Sequence, residues 1–358
     1  MRISDRNIWQ IAAGDETHSY HQLFFDWDVI AIGPGAYGKW PECEEELLAG
    51  RGPNQVTIVR RFVEGIQEGD IIVLRRGKTT LYGIGEVVGP YVWLDDFGDV
   101  DGWDLQHVRR VRWLWKAETS EGNRFDEGVL RWGASVQKAS SPVLNEFLDG
   151  LNLRSSSRKL VSLPPSCVDG MKIAPVEIEE VISSLFDLGV DLRNVGQIVD
   201  QLRELETLAK WYYRSAHKPK EHETLAYLVI PLLRSLGWTP QRLAIEWNYI
   251  DIAGFGILPR KDANLRLAVE AKAMDSACLM ARDQGERYVT SAERSGCNRL
   301  VLTEGTRYGI FFRGKGGKFP NHADAYLNLI RRLPDYPITK SQGAIKAFEA
   351  LAADWGRE

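Results

Sequence analysis

Cysteine is scarce. Cys43, Cys167, Cys278 and Cys297 are scattered over 358 positions, with no Cys-x-x-Cys pair and no ligand-like grouping with histidine. That excludes a disulfide-stapled scaffold and a structural zinc site, and suits a reducing, cytoplasmic setting. No apolar run approaches the length of a membrane span, and Met1-Arg2-Ile3-Ser4-Asp5 does not open like an export signal, so no membrane partner is expected. A Gly-x-x-x-x-Gly-Lys-(Ser/Thr) loop is missing, which excludes a nucleotide-driven motor within this chain. Internal repeats and low-complexity tracts are absent as well.

What is present is ordinary globular composition, 44% hydrophobic and 26% charged, in a chain long enough for two domains. The net charge of -4 conceals an asymmetry. Residues 1–150 carry 16 basic against 24 acidic side chains, whereas residues 201–358 carry 24 against 18. A nucleic-acid enzyme needs basic surface somewhere, and the C-terminal half offers it, although solvated basic faces are common.

Residues 1–150 read as mostly β. Short strand-like runs at Ile8–Ile11, Val29–Ile32, Asp70–Leu74, Leu81–Val88 and Arg110–Trp113 are separated by Gly, Pro and Asp, with a helix over Val56–Ile66. Such a pattern predicts a small α+β domain built on a barrel. Residues 151–200 contain Arg154-Ser155-Ser156-Ser157-Arg158 and Pro164-Pro165-Ser166, a linker signature, followed by connecting helices near 176–188 and 194–214. Residues 201–358 read as α/β: a helix ending at Gly237, strands around Ile245–Phe255 and Leu265–Ala273, a helix from Cys278 to Glu293, strands near Arg299–Thr303 and Gly309–Phe312, and a last helix over 341–354.

The chemistry is concentrated in Ile250-Asp251-Ile252 and Leu265-Arg266-Leu267-Ala268-Val269-Glu270-Ala271-Lys272. Strand alternation puts Leu265, Leu267, Val269 and Ala271 on one face, and Glu270 with Lys272 on the other. Charges on apolar strands are costly unless paired or metal-bound. Two carboxylates and an ammonium at strand ends suit a hard cation such as Mg²⁺ with a proton handler beside it. The same spacing serves a structural ion pair on a half-exposed strand equally well.

The flanks resemble the PD-(D/E)xK nuclease superfamily, most closely the N-terminal nuclease domains of type I restriction motor subunits. The matching segments are Glu223-Thr224 with Ile230-Pro231-Leu232-Leu233 and Leu236-Gly237-Trp238, then Tyr249-Ile250-Asp251-Ile252-Ala253, Val269-Glu270-Ala271-Lys272-Ala273, Gln284-Gly285-Glu286-Arg287-Tyr288 and Val301-Leu302-Thr303-Glu304-Gly305. Ile250 stands where the family often has proline. The resemblance implies a restriction-endonuclease-like domain with a mixed central sheet flanked by helices. It also implies Mg²⁺, with Mn²⁺ as a substitute, on Asp251 and Glu270. Lys272 would orient or deprotonate the attacking water, Glu223 would make a water-bridged metal contact, and Gln284 and Tyr288 would steady Lys272 or the DNA backbone. Ordinary helix packing remains the alternative for Gln284 and Tyr288.

The N-terminal run Trp9–Asp15, Val29–Gly35, Glu68–Leu74, Leu81–Tyr91 and Val108–Trp113 resembles the EVE/PUA-like barrels, which include readers of modified bases. Gly33-Pro34-Gly35 stands where some relatives show Gly-Trp-Gly. A flipped base needs stacking partners and edge contacts. Tyr20, Trp27, Tyr37, Trp40, Tyr82, Trp93 and Trp103 are candidates for stacking and Asp15 for the edge, each competing with a core role. Arg75, Arg76, Lys78, Arg109, Arg110 and Arg112 are candidates for phosphate contacts, or else a solvated rim.

A reader joined to a nuclease implies a modification-dependent, type IV-like restriction endonuclease acting against phage DNA, with modified DNA (5-methylcytosine for example) as partner and a homodimer where both strands are cut. Two other readings stay open: a nuclease switched on by a small nucleotide bound to the N-terminal domain, and a non-catalytic binder of modified nucleic acid.

Overall fold

The computed structural model describes residues 5–14, 19–119, 121–131, 133–139, 141–151, 153, 158–164, 173–190, 195–215, 217–274, 279 and 282–355. The chain divides into two compact units, Met1–Met171 and Lys172–Glu358. No helix among the described residues is long and apolar enough to cross a membrane.

The first unit contains β1 (Ile8–Ala12), α1 (His21–Asp26), β2 (Val29–Ile32), α2 (Glu44–Arg51), α3 (Pro53–Arg60), β3 (Ile71–Arg76), β4 (Thr80–Trp93), β5 (His107–Lys116), β6 (Asn123–Arg124), β7 (Val136–Lys138) and α4 (Pro142–Gly150). Its mixed sheet has the order β2-β5-β4-β3-β1-β7, with β6 on β4. β1 and β3 run parallel, while the remaining pairs are antiparallel. Ile11, Ile71, Val73 and Ile84 are fully buried at its centre, as suits a strand covered on both faces.

The sheet does not close into the expected barrel. Among the described residues β2 and β7 stand at opposite edges and do not pair. Both are short, four and three residues long, so neither presents a ladder long enough to complete a barrel. The long β4 bends instead, with register shifts at Ile84/Gly85 and between Val87 and Tyr91.

The second unit contains α5 (Ile178–Asp187), α6 (Val195–Arg214), α7 (Glu221–Thr224), which runs through a π-helical turn (Leu225–Val229) into α8 (Ile230–Ser235), then β8 (Leu243–Trp247), β9 (Ile250–Phe255), β10 (Leu265–Ala271), α9 (Arg282–Val289), β11 (Arg299–Thr303), β12 (Arg307–Phe312), β13 (Ala325–Asn328), β14 (Asp335–Tyr336), β15 (Ser341–Gln342) and α10 (Ala344–Leu351). The eight strands form one mixed sheet, β14-β15-β13-β12-β11-β10-β9-β8. β9 is antiparallel to β10, and β10 is parallel to β11, which follows α9 in the chain.

Each face of this sheet is buried in its own cluster. Leu267, Val269, Ala271, Ile252 and Val301 pack with Leu228, Leu232 and Phe348, and α5 and α6 add Val181, Leu185, Leu202 and Leu205 to the same core. Ala253, Ala268, Leu300 and Leu302 line the opposite face with Val289 of α9. Leu265 belongs to this second cluster, not with Leu267, because a bulge between them resets the alternation. The segment read as a single run, Ile245–Phe255, is a hairpin whose turn has positive φ at Asn248 and Tyr249.

His107, on β5, is fully buried in the first unit. Its Nδ1 lies 3.0 Å from the Tyr91 hydroxyl, and its Nε2 has no partner among the described residues. Burial pulls its pKa down to about 4. The folded state therefore takes up this proton later than the unfolded chain as pH falls. The stability tied to neutral His107 is complete above pH 6.5 and drains away as pH drops toward about 4. Urea unfolding should lose up to about 3 kcal/mol across that window, and His107→Gln should flatten the profile.

Candidate active site

Asp251 and Glu270 are brought together by the pairing of β9 with β10. Asp251 Oδ2 accepts the Ala271 amide at 2.7 Å, which pins its carboxylate to the end of β10. Glu270 is buried, and its Oε1 accepts from Lys272 Nζ and Gln284 Nε2, each at 2.7 Å. Gln284 Nε2 also donates to the Tyr288 hydroxyl at 3.2 Å. These two residues are one turn apart on α9, so both reach the same strand end. The Lys272 amide donates to the Thr303 carbonyl at 2.8 Å, which fixes the exit of β10 beside β11. Gly305, at φ 87°, closes the turn after β11; a Cβ there would lie 2.7 Å from Thr224 Cγ2 and 2.6 Å from Leu228 Cδ1. The Leu-Thr-Glu-Gly motif is therefore used for packing against the helix that follows Glu221.

Of the two helix glutamates, Glu221 acts on this group through its charge. Glu223 does not. Its Oε2 accepts the Lys220 amide at 3.1 Å and lies 4.0 Å from His217 Nε2, so it caps the start of α7. Two residues along a helix turn the side chain by about 200°, so the two glutamates cannot serve the same site. The Met274 amide, donating to the Pro219 carbonyl, ties the approach to α7 to the chain just beyond Lys272.

The electrostatics follow from this crowding. Burial raises the Asp251 pKa, the Ala271 amide opposes it, and the charge of Glu221 raises it further. Burial likewise raises Glu270, against the Lys272 hydrogen bond and with Asp251 and Glu221 adding to the rise. For Lys272, burial acts downward, but Glu270, Glu221 and Asp251 outweigh it and the net shift is upward. Lys272 is thus held as an ammonium ion. The charges of Glu270, Glu221 and Asp251 all act on one ammonium, and Asp251 Oδ1 and Glu270 Oε2 accept no hydrogen bond among the described residues. No group of three or more His, Cys, Asp or Glu side chains among the described residues is arranged to hold a metal by itself. The donor set is two free carboxylate oxygens, which fits Mg²⁺ because that ion keeps several waters and borrows phosphate oxygens.

In the first unit the aromatic candidates differ in burial and partners. Tyr20, Trp40 and Tyr82 are buried. The Tyr82 ring stacks on His21 at 3.8 Å, and Trp40 Nε1 donates to Glu64 Oε1 at 2.8 Å. Trp93 is half-buried and donates to Asp95 at 2.8 Å, with its ring edge-on to His107. Tyr82 and Trp93 sit near opposite ends of β4, with both of its register shifts against β5 between them. Trp27 and Tyr37 are half-buried, Trp103 is exposed, and Asp15 lies outside the described residues. Gly33 and Gly35 make room for this chain's own 104–106 segment, since a Cβ on Gly35 would lie 1.8 Å from Gln106 Oε1.

The arginines chosen for phosphate contacts are largely committed. Arg75 donates to the Gly77 and Ala134 carbonyls, and Arg109 to those of Phe62, Val63 and Gly89. Arg110 holds the Val161 carbonyl, Arg112 lies 3.7 Å from Glu86, and Arg76 reaches the Tyr82 hydroxyl. Lys78 is exposed. Basic character is instead gathered at a cleft of about 440 Å³ lined by Trp9, Arg61, Arg131, Gln137 and Lys138. Three cations and no carboxylate face it, and strand pairing of β1 with β7 places Trp9 opposite Lys138. Sequence spacing could not find this cleft, because its residues come from three distant segments.

Removing Lys272 would leave a buried carboxylate with Gln284 as its main donor. Lys272→Met should therefore destabilise the fold by about 1–3 kcal/mol, and Lys272→Met with Glu270→Gln should recover most of it. Urea titration of both variants checks this; equal stability of the single variant and wild type would show that the pair carries no strain.

Comparison with known proteins touches only the first unit. A family model described as a domain of unknown function (DUF8426) matches residues 9–130, from β1 to just beyond β6. No curated protein matches the chain.

Proposed function

We propose that this chain is a Mg²⁺-dependent endonuclease whose second unit hydrolyses phosphodiester bonds, and whose first unit directs it to DNA carrying a modified base. The observation that carries the proposal is the convergence of Lys272 and Gln284 on one oxygen of buried Glu270, with Asp251 pinned to the next residue of the same strand. Structural ion pairs seldom leave two desolvated carboxylates facing one ammonium with their outer oxygens unused. Asp251 Oδ1 and Glu270 Oε2 would hold the ion. Once bound, it would supply positive charge to the phosphate and a more acidic water.

The residues do the positioning. Gln284 and Lys272 fix the Glu270 carboxylate so that its second oxygen points away from their donors. Tyr288 holds Gln284 in turn. Because Lys272 is an ammonium with a raised pKa, its role is to donate a hydrogen bond and charge to the attacking water or the scissile phosphate, not to begin as a base. The charge of Glu221 adds to that of Asp251 and Glu270, which favours a bound cation.

One observation favours a second reading, activation by a small anionic nucleotide. The cleft lined by Trp9, Arg61, Arg131 and Lys138 brings three cations together in about 440 Å³, a composition suited to a phosphate-bearing ligand. Of the aromatic candidates for a base pocket, Tyr20, Trp40 and Tyr82 are buried in the core.

Matched plasmids differing only in cytosine methylation, digested in Mg²⁺ with and without nucleotide mixtures, separate these readings. Cutting restricted to the methylated plasmid supports the reader. Equal cutting that depends on a nucleotide and is lost in Arg61→Glu supports the cleft. No cutting under any condition leaves a non-catalytic binder.

The residue assignments have their own expected outcomes. Asp251→Asn and Glu270→Gln should each lower cleavage at least 1,000-fold with thermal melting little changed. Glu221→Gln should lower it about tenfold, and Glu223→Gln should cut like wild type in the same nicking assay. Loss of activity in Glu223→Gln with a wild-type rate in Glu221→Gln would reverse the assignment of the helix carboxylate.

A further inference from the structure

Tyr249 stands out as a large side chain that the fold does not use. The residue is 83% exposed, the highest value among the exposed large hydrophobic residues. Its backbone has φ 73° in the β8–β9 turn, where Glu246 and Asn248 also have positive φ, at 54° and 46°. Left-handed backbone suits Gly or Asn, and is unfavourable for a bulky aromatic. Tyr249 therefore gains almost no burial in return for a strained conformation. Strain of this kind, where the ring is not a packing element, points to a role outside the fold.

The position of the ring says what that role is. Tyr249 is two residues from Asp251, and its ring is 6.1 Å from that of Tyr288 at an interplanar angle of 25°. Tyr288 is hydrogen-bonded to Gln284, and Gln284 to Glu270. The exposed ring is thus linked to both carboxylates of the candidate metal site, one through the strand and one through side chains. Whatever covers Tyr249 lies next to the reacting phosphate. A planar, weakly hydrated group attached to a phosphodiester is a nucleobase, and base–aromatic stacking tolerates any sequence because every base has a π face.

We infer that Tyr249 is a stacking platform for an unpaired base adjacent to the scissile phosphate, so that the nuclease engages a locally melted or single-stranded segment of its substrate. This deepens the nuclease reading and rests on it. Tyr249 positions substrate and takes no part in proton transfer. A rival use of the same exposed tip, self-association through the edge strand β8 with its exposed Ile245, makes a different prediction and is an arm of the test.

The test uses the full chain. In a Glu270→Gln background, which blocks turnover, a single-stranded oligonucleotide carrying 2-aminopurine is titrated in Ca²⁺. Binding should quench the probe, Tyr249→Ala should abolish the quench and weaken binding about tenfold, and Tyr249→Trp should restore both. With Glu270 intact, Tyr249→Ala should raise KM about tenfold with kcat within twofold. Tyr249→Gly should melt at a higher temperature than wild type, because the strained conformation is relieved while binding is lost. Unchanged quench and KM in Tyr249→Ala would overturn the inference. So would a change in sedimentation of Tyr249→Ala without nucleic acid, which would assign the tip to self-association. If the wild-type chain cuts nothing yet the quench still depends on Tyr249, the nuclease reading falls and the stacking platform stands.

Discussion

The second unit is organised around one buried carboxylate. Glu270 sits on a strand whose neighbours Val269 and Ala271 are fully packed, and an isolated charge there would cost several kcal/mol. The structure offsets this with two donors on a single oxygen, Lys272 Nζ and Gln284 Nε2. Each donor constrains a different element. Lys272 must remain at the strand end beside β11, and α9 must be oriented so that Gln284 faces β10. The carboxylate therefore sets the helix against the sheet as well as forming the candidate site.

That arrangement also explains why the neighbouring acids are tolerated. Burial together with mutual repulsion raises the pKa of Asp251 and Glu270, and the same negative charges hold Lys272 as an ammonium. Lys272 is thereby the ammonium that balances this excess of carboxylate. The first unit solves a different problem. Its buried arginines, Arg75 and Arg109, are satisfied by backbone carbonyls, so they rigidify loops while Arg61, Arg131 and Lys138 remain at the cleft. Cations in the same domain are thus divided between those that hold buried backbone carbonyls and those that line the cleft, and residue type alone does not tell them apart.

Much of the second unit was legible in the amino-acid order. Period-two alternation places Leu267, Val269 and Ala271 on one face and Glu270 on the other, and the helical spacing of Leu225, Leu228, Leu232 and Leu236 gives the buried stripe seen in the core. The isolated charges Asp251, Glu270 and Lys272 were visible because they interrupt apolar strands. Their meeting, and that of Gln284 and Tyr288 with Glu270, depends on the pairing of β9 with β10 and the packing of α9, which no local pattern encodes. Leu265 escaped the alternation because a bulge intervenes.

What the sequence determined by itself, then, is where the main central strands lie, which of their faces are apolar, and which charges lie where burial is costly, since all three depend on periodicity and local chemistry. The tertiary structure decided the rest. The charge of Glu221 acts on the carboxylates while Glu223 caps the start of α7, because two residues along a helix turn the side chain by about 200°. The N-terminal sheet stays open, because its edge strands are too short to pair. Tyr20, Trp40 and Tyr82 are core residues while Tyr249 is exposed, because an aromatic side chain suits either environment and only the packing around it chooses between them.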